Sequence, residues 1–413
     1  MTQVTSVWET HLFHNRLTHT LKVAQIAQRL AQSLRADPDN AEHLADGGGP
    51  HVDCTEAAAL AHDLGHPPFG HIAEKELDDK CVKAGLDGFE GNAQSFRIVT
   101  RLSYRASDLP GLSLTPRTLN AIIKYPWLRE GDHAGDKKWN AYETERRFFR
   151  QAREGWAGEQ RSVEAEIMDW ADDVSFAVHD IEDFYRAGLI PLERVTSEPA
   201  ETEQFISKAS AYLSRNLRNF DPGLGAESFR RVSPLLVPDS PFRSTPKHRR
   251  AVHRMANQLI TLYMEALSLV SGRAVTINAN LRHEVLMLKQ LTWQYVVNDP
   301  ALASMQVGQA RLIRELFNDL MTWVRREEAD QAMYRLPTQL LHNYVTLRDD
   351  GEQTNEIREG LNRRGVEDKL YDDAIRARAV ADYLSGLTEE QALALYSRMR
   401  ATEPQSILQS WVR

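Results

Sequence analysis

Apolar positions along this chain recur almost everywhere with the 3.6-residue period of an amphipathic helix. Leu17, Leu21, Ala24, Ile26, Ala27 and Leu30 trace one apolar face and predict a helix from about Arg16 to Leu34, with Leu17, Leu21 and Ala24 on its buried stripe. A polar stretch with Asp37-Pro38 and Gly47-Gly48-Gly49-Pro50 then reads as a loop. Asp53 with Glu56 three residues on has the capping-box arrangement, and the helix it starts carries Ala57 through Asp63. Gly65 and Pro67 stop that helix, because proline lacks the N–H and glycine readily leaves the helical conformation.

Thr115-Pro116 predicts a helix running to Tyr125 and ending before Pro126, followed by a charged loop over Gly131–Lys138. Ser162 starts a long helix to about Ala187, terminated by Gly188, with Ile167, Trp170, Val174, Ala177, Val178, Ile181 and Phe184 as its core stripe. Further helices are predicted at about 200–218, 247–271, 279–296, 299–328, 330–347, 367–385 and 388–401. Pro234 to Pro246, broken again at Pro238 and Pro241, reads as an exposed connection. Neither repeats nor β-alternation stand out, so the expected class is all-α. At 413 residues the chain exceeds the usual single domain. The expected organisation is a core over 1–190 with a helical C-terminal region, 191–413, packed on it as one compact unit.

The net charge of −8 argues against a nucleic-acid binder that works through overall charge. The local basic run Lys247-His248-Arg249-Arg250 with His253-Arg254 reads as a solvated loop and helix start, with phosphate contacts as the alternative. Cys54 and Cys81, the two cysteines, are not in CxxC spacing, which excludes a thiolate zinc site and suits a reducing cytosol. No stretch approaches a membrane span and no signal pattern opens the chain, so a soluble, cytoplasmic protein is expected.

The candidate chemistry begins with His62-Asp63, which brings a nitrogen and a hard oxygen into one small volume, as metal binding requires. His19, beside the apolar stripe of the first helix, is either a satisfied core histidine or a ligand. On the helix over 163–187, Asp172, Phe176 and Asp180 are four apart and share a face beside the core stripe. Acids flanking a core stripe are costly unless paired or metal-bound, and Trp170 and Val174 imply depth for Asp172. Glu182 and Asp183 read instead as a solvated rim. His19, His62, Asp63 and Asp172 together offer two imidazoles and two carboxylates. That mixed set suits divalent Mn, Fe, Co, Ni, Zn or Mg without choosing among them. On an octahedral ion it leaves positions for water and a substrate oxygen.

This His…His-Asp…Asp order resembles the HD phosphohydrolase superfamily. Four segments sharpen the likeness to the deoxynucleoside-triphosphate triphosphohydrolases (dGTPase-like proteins): Arg16–Ala24, His62–His71, Phe89–Ser95 and Ala171–Asp180, with a late segment at Val380–Thr388. The resemblance implies that His19, His62, Asp63 and Asp172 are the metal ligands, with Asp173 the adjacent rival to Asp172. It implies that His71 and Glu74 are a catalytic pair, and their three-residue spacing at a helix start lets the carboxylate orient the imidazole. Arg16 matches a phosphate-binding arginine and Asp180 an acid near substrate. His66 matches a contact to triphosphate or to the metal ligands, or else is a turn residue before Pro67. Phe176 stands where many relatives have Tyr, and Gly91 where some have His. Thr2-Gln3-Val4 resembles the end of a family segment whose preceding Arg-rich helix is missing here, and it puts Gln3 within reach of the base.

The implied reaction is hydrolysis of a dNTP to deoxynucleoside and inorganic triphosphate, by a homo-oligomer that binds an activator nucleotide or single-stranded DNA. Two other readings remain: an HD nucleotidase acting on a monophosphate, and a regulatory nucleotide-binding protein with little turnover. The His71–Glu74 pair counts against the second, since a sensor needs no acid–base pair.

Overall fold

The computed structural model describes residues 15–45, 48–105, 111–236, 240–366 and 370–401. It is all-α, with one short hairpin among the described residues. The chain forms two compact units, Met1–Leu60 with Ser162–Ser304, and Ala61–Arg161 with Met305–Arg413. Each is discontinuous, so the division does not follow the expected 190/191 boundary. No described helix is long and apolar enough to cross a membrane.

In the first unit the central element is the Val163–Arg186 helix, capped as its sequence predicts by Ser162, whose side chain accepts from the Ala165 N–H. Gly188 follows with φ +74°, a conformation that glycine reaches without strain. Its buried stripe, from Ile167 and Trp170 through Ile181 to Phe184, packs against helices Arg16–Ala36, Pro246–Tyr263 and Ala279–Thr292. The first of these is capped by a reciprocal Asn15–Thr18 box. Its buried face is His19, Val23, Ala24, Ile26, Ala27, Leu30, Ala31 and Leu34. Leu17 and Leu21, expected inside, are 67% and 53% exposed. The inward stripe is therefore set by His19 and Val23, and a polar-looking residue took the place expected of a leucine.

The expected helix over 247–271 ends at Tyr263, and Leu267–Ser271 pairs antiparallel with Ala274–Ile277. Leu267, Leu269 and Val275 point inward, an alternation too short to stand out against the surrounding helical period. The expected helix over 279–296 is α-helical to Thr292 and continues as one π-helical turn over Trp293–Val297. The Pro222–Val232 helix lies in a stretch left unassigned by periodicity.

In the second unit, helices His71–Lys83, Thr338–Asp349, Gly351–Arg363 and Tyr371–Ser385 enclose a core that includes Leu77, Cys81, Ile313, Leu320, Leu340, Leu361, Val380 and Leu384. The Pro116–Ile122 helix stops short of the expected Tyr125, because the N–H groups of Lys124 and Tyr125 turn to Asn140 Oδ1 at 2.8 and 3.0 Å. The helix expected over 330–347 begins only at Thr338, after a 3₁₀ turn at Met333–Arg335 and Pro337.

This unit also buries a fully enclosed guanidinium. Arg97 donates to both oxygens of Asp382 at 2.9–3.0 Å, to Glu145 at 2.6 Å and to Thr144 and Gln353 at 3.1 Å. Removing one partner of a buried ion pair strands the others in low dielectric. Arg97→Met should therefore lower the unfolding free energy by about 3–5 kcal/mol, read as a reduced urea midpoint. An unchanged midpoint would mean that the network adds no net stability.

Candidate active site

The second unit carries the segment around His62–His71. The Val52–Ala61 helix ends before His62, so His62 and Asp63 sit in the following turn rather than on the helix. Asp53 lies inside its first turn, not at the cap. Ser95 pins the turn: its hydroxyl accepts from Gly65 N–H at 2.9 Å and donates to the His62 carbonyl at 3.1 Å. Gly65 is required there, because a Cβ would lie 2.1 Å from the Ser95 nitrogen. Asp63 then stands between two imidazoles, 3.6 Å from His62 Nε2 and 3.1 Å from His66 Nδ1. Burial, against the pull of Asp63, pushes His66 down to about 4, so its ring is neutral at neutral pH. The same ring explains Gly91: a Cβ at that position would come within 2.9 Å of it.

Phe69 (φ +65°) and Gly70 (φ +57°) bend the chain into the helix that opens at His71. A non-glycine residue with positive φ is strained, and such strain collects at functional turns. The His71 side chain is 72% exposed, with Nδ1 2.6 Å from Glu74 Oε2. Glu74 is buried. Its other oxygen accepts from Lys138 Nζ at 2.8 Å and Gly91 N–H at 3.1 Å. Burial alone would raise Glu74, but the His71 hydrogen bond and the Lys138 charge hold it well below the usual carboxylate range. Lys138 also reaches the fully buried Glu90 at 2.8 Å. Glu90 caps the Gly91–Arg97 helix, accepting from the N–H groups of Asn92 and Ala93.

In the first unit, His19 is buried on its helix, and its Nε2 lies 3.2 Å from Asp172 Oδ1. The neighbouring Asp173 is taken up by Lys289 at 2.6 Å, so the two adjacent acids have different partners. The Lys289 ammonium also lies 5.2 Å from the centre of the Phe176 ring. Asp180 is buried, and burial, reinforced by Asp183 and opposed by His19, pushes its carboxyl up to about 6. Asp183, expected on a solvated rim, is 2% exposed. The rim is Glu182, which stays partly open and faces Arg186 one turn on at 3.8 Å. The apolar stripe of this helix is wide enough to take Asp183 inside. Arg16 is half-buried at the start of its helix, and Gln3 lies outside the described residues.

These residues suit a divalent cation by donor chemistry: within each unit an imidazole nitrogen and a carboxylate oxygen stand together, His19 with Asp172 and His62 with Asp63. Ligand atoms of His66, His71 and Glu74 also lie within 4.8 Å of one another. There, however, the Lys138 ammonium already pairs with Glu74 at 2.8 Å.

Residues 16–177 match the HD domain family, a span that contains His19, His62, Asp63 and Asp172. The chain is 30% identical to a deoxyguanosinetriphosphate triphosphohydrolase-like protein of Streptomyces coelicolor, over 93% of this chain and 83% of that protein. A protein of the same description from Mesorhizobium japonicum is 30% identical over 96% and 83%. One from Corynebacterium efficiens is 29% identical over 91% and 81%. The chain belongs to this HD-domain family. The HD domain and the relatives' description support a metal-dependent phosphohydrolase.

From sequence, Lys138, Glu90, Ser95 and Lys289 carry no assigned role. Lys138 closes a stretch that reads as a charged loop, and Glu90 sits in the Phe89–Ser95 segment with its capping role unrecognised. A Glu followed by small residues at the start of a helical run is the available signal for Glu90. Lys138 offers none, because its partners are 48 and 64 residues away.

Asp180 yields a pH prediction. Its folded value, about 6, exceeds the ordinary 3.8, so the protonated form favours the folded state. That contribution, up to about 3 kcal/mol at 1.36 kcal/mol per pH unit, is complete below pH 3.8 and is lost as pH rises through about 6. In metal-free protein, D180N should flatten the pH dependence of the unfolding midpoint between these values. An identical pH dependence in wild type and variant would refute the assignment.

Proposed function

We propose that this protein hydrolyses deoxynucleoside triphosphates to the deoxynucleoside and inorganic triphosphate. In this reading His19, His62, Asp63 and Asp172 hold one divalent ion, Mg, Mn, Fe, Co, Ni or Zn. A divalent ion bound there polarises a phosphoryl oxygen and acidifies water. The relatives described as deoxyguanosinetriphosphate triphosphohydrolase-like proteins support the substrate class.

The observation that carries the reading is the His71–Glu74 pair. The carboxylate takes Nδ1 at 2.6 Å, and the exposed ring leaves Nε2 for a reacting group. A histidine so oriented serves as general acid or base. His71 thus gives a proton to the departing 5′-oxygen or takes one from the water that attacks the α-phosphorus. Glu74, ionised and buried, stabilises the imidazolium that proton uptake creates. Arg16 neutralises the charge of the polyphosphate, and the negative charge that grows on the departing 5′-oxygen as the bond breaks is met by the proton. His66, neutral, offers a hydrogen bond without adding charge. Asp180 stands near the sugar, and Phe176 presents a ring where a hydroxyl would otherwise reach sugar or phosphate.

The test is product analysis with each dNTP and Mn²⁺ or Mg²⁺. Equimolar deoxynucleoside and intact triphosphate are expected. Orthophosphate or pyrophosphate as the first product would reject the proposal in favour of a nucleotidase or pyrophosphohydrolase. His71→Ala should lower kcat by about 10²–10⁴-fold with metal content unchanged. Undiminished turnover would remove His71 from proton transfer.

A further inference from the structure

We propose that Lys138 is a positioning residue for the acid–base histidine: it grips one oxygen of Glu74 so that the other is left to orient His71, and buried Glu90 holds the lysine in place. The inference rests on His71 acting in proton transfer. It begins from exposure. With 72% of its side chain open, the His71 ring meets the edge of the His66 ring at 5.9 Å between centroids, and the hydrogen bond to Glu74 Oε2 is the directional contact that fixes its rotation.

That bond is only as directional as Glu74 itself. A carboxylate on a flexible stem can turn, swap its two oxygens, or draw away from the ring. Here both oxygens are committed. Oε1 takes the Lys138 ammonium at 2.8 Å and the Gly91 N–H at 3.1 Å, and Oε2 takes His71. The lysine is fixed in turn by Glu90, itself immobilised as cap of the Gly91–Arg97 helix.

Charge points the same way. Glu74, Glu90 and Lys138 sum to one net negative charge beside an imidazole that must become an imidazolium. Two buried carboxylates without the lysine would repel, and one would take a proton or turn away. Lys138 therefore sets both the geometry and the charge that His71 meets, without approaching the ring among its described contacts.

The experiment compares wild type, K138M, K138R and the E90Q/K138M double variant, in Mn²⁺ with saturating dNTP. K138M should lose about 10²-fold in kcat, the scale of a misplaced catalytic group, with KM within about twofold. K138R should recover about tenfold of the loss, since a guanidinium also spans two carboxylates. E90Q/K138M removes both charges of the buried pair and so guards against a folding failure. Its kcat should stay low, because Glu74 remains ungripped. By ¹⁵N NMR of the imidazole, wild-type His71 should carry its proton on Nδ1, and K138M should show mixed tautomers. Wild-type kcat in K138M, a loss confined to KM, full recovery in the double variant or an unchanged His71 tautomer would each overturn the proposal. If His71→Ala is fully active, the acid–base reading itself fails. If His71→Ala is inactive while K138M is unimpaired, the positioning role alone fails.

Discussion

The geometry around His71 depends on one buried carboxylate. Glu74 meets His71, Lys138 and the Gly91 N–H within hydrogen-bond distance, and each of those contacts constrains a different piece of chain. His71 must open its helix, which places the strained Phe69-Gly70 turn just before it. Gly91 must present its N–H while leaving room for the His66 ring, which excludes a side chain. Lys138 must reach in from a loop, and Glu90 must hold it. A buried carboxylate is tolerated only when its oxygens are satisfied in this way.

The Val163–Arg186 helix shows how environment assigns different tasks to chemically identical groups. Asp172 stands by His19, Asp173 is neutralised by Lys289, and Asp180 and Asp183 are buried. About two turns of helix therefore separate an acid with a histidine neighbour from an acid that burial keeps reluctant to ionise. Net charge and composition carry no trace of that division, because it arises from which helices pack against which positions.

Much of the fold was legible because helical periodicity and capping chemistry are local. Ser162 and Thr115 cap where expected, and the long helix ends before Gly188. What failed was nonlocal. Leu17 and Leu21 face outward while His19 turns in, a choice made by the packing partner rather than by hydrophobicity. The hairpin at Leu267–Ile277 hid inside a helical pattern, and Asn140 ended a helix from 15–16 residues away. At the candidate site, the family resemblance pointed to the His71–Glu74 pair, and its three-residue spacing agreed with the hydrogen bond seen. The Lys138–Glu90 support was not, because it closes across segments that share no motif.

In the proposed reaction, water attacks the α-phosphorus and the 5′-oxygen departs with a proton handled by His71. Hydrolysis of a dNTP in H₂¹⁸O, with mass analysis of both products, tests this most directly. One ¹⁸O atom per triphosphate released and none in the deoxynucleoside is expected. Label in the deoxynucleoside, or in orthophosphate, would contradict it.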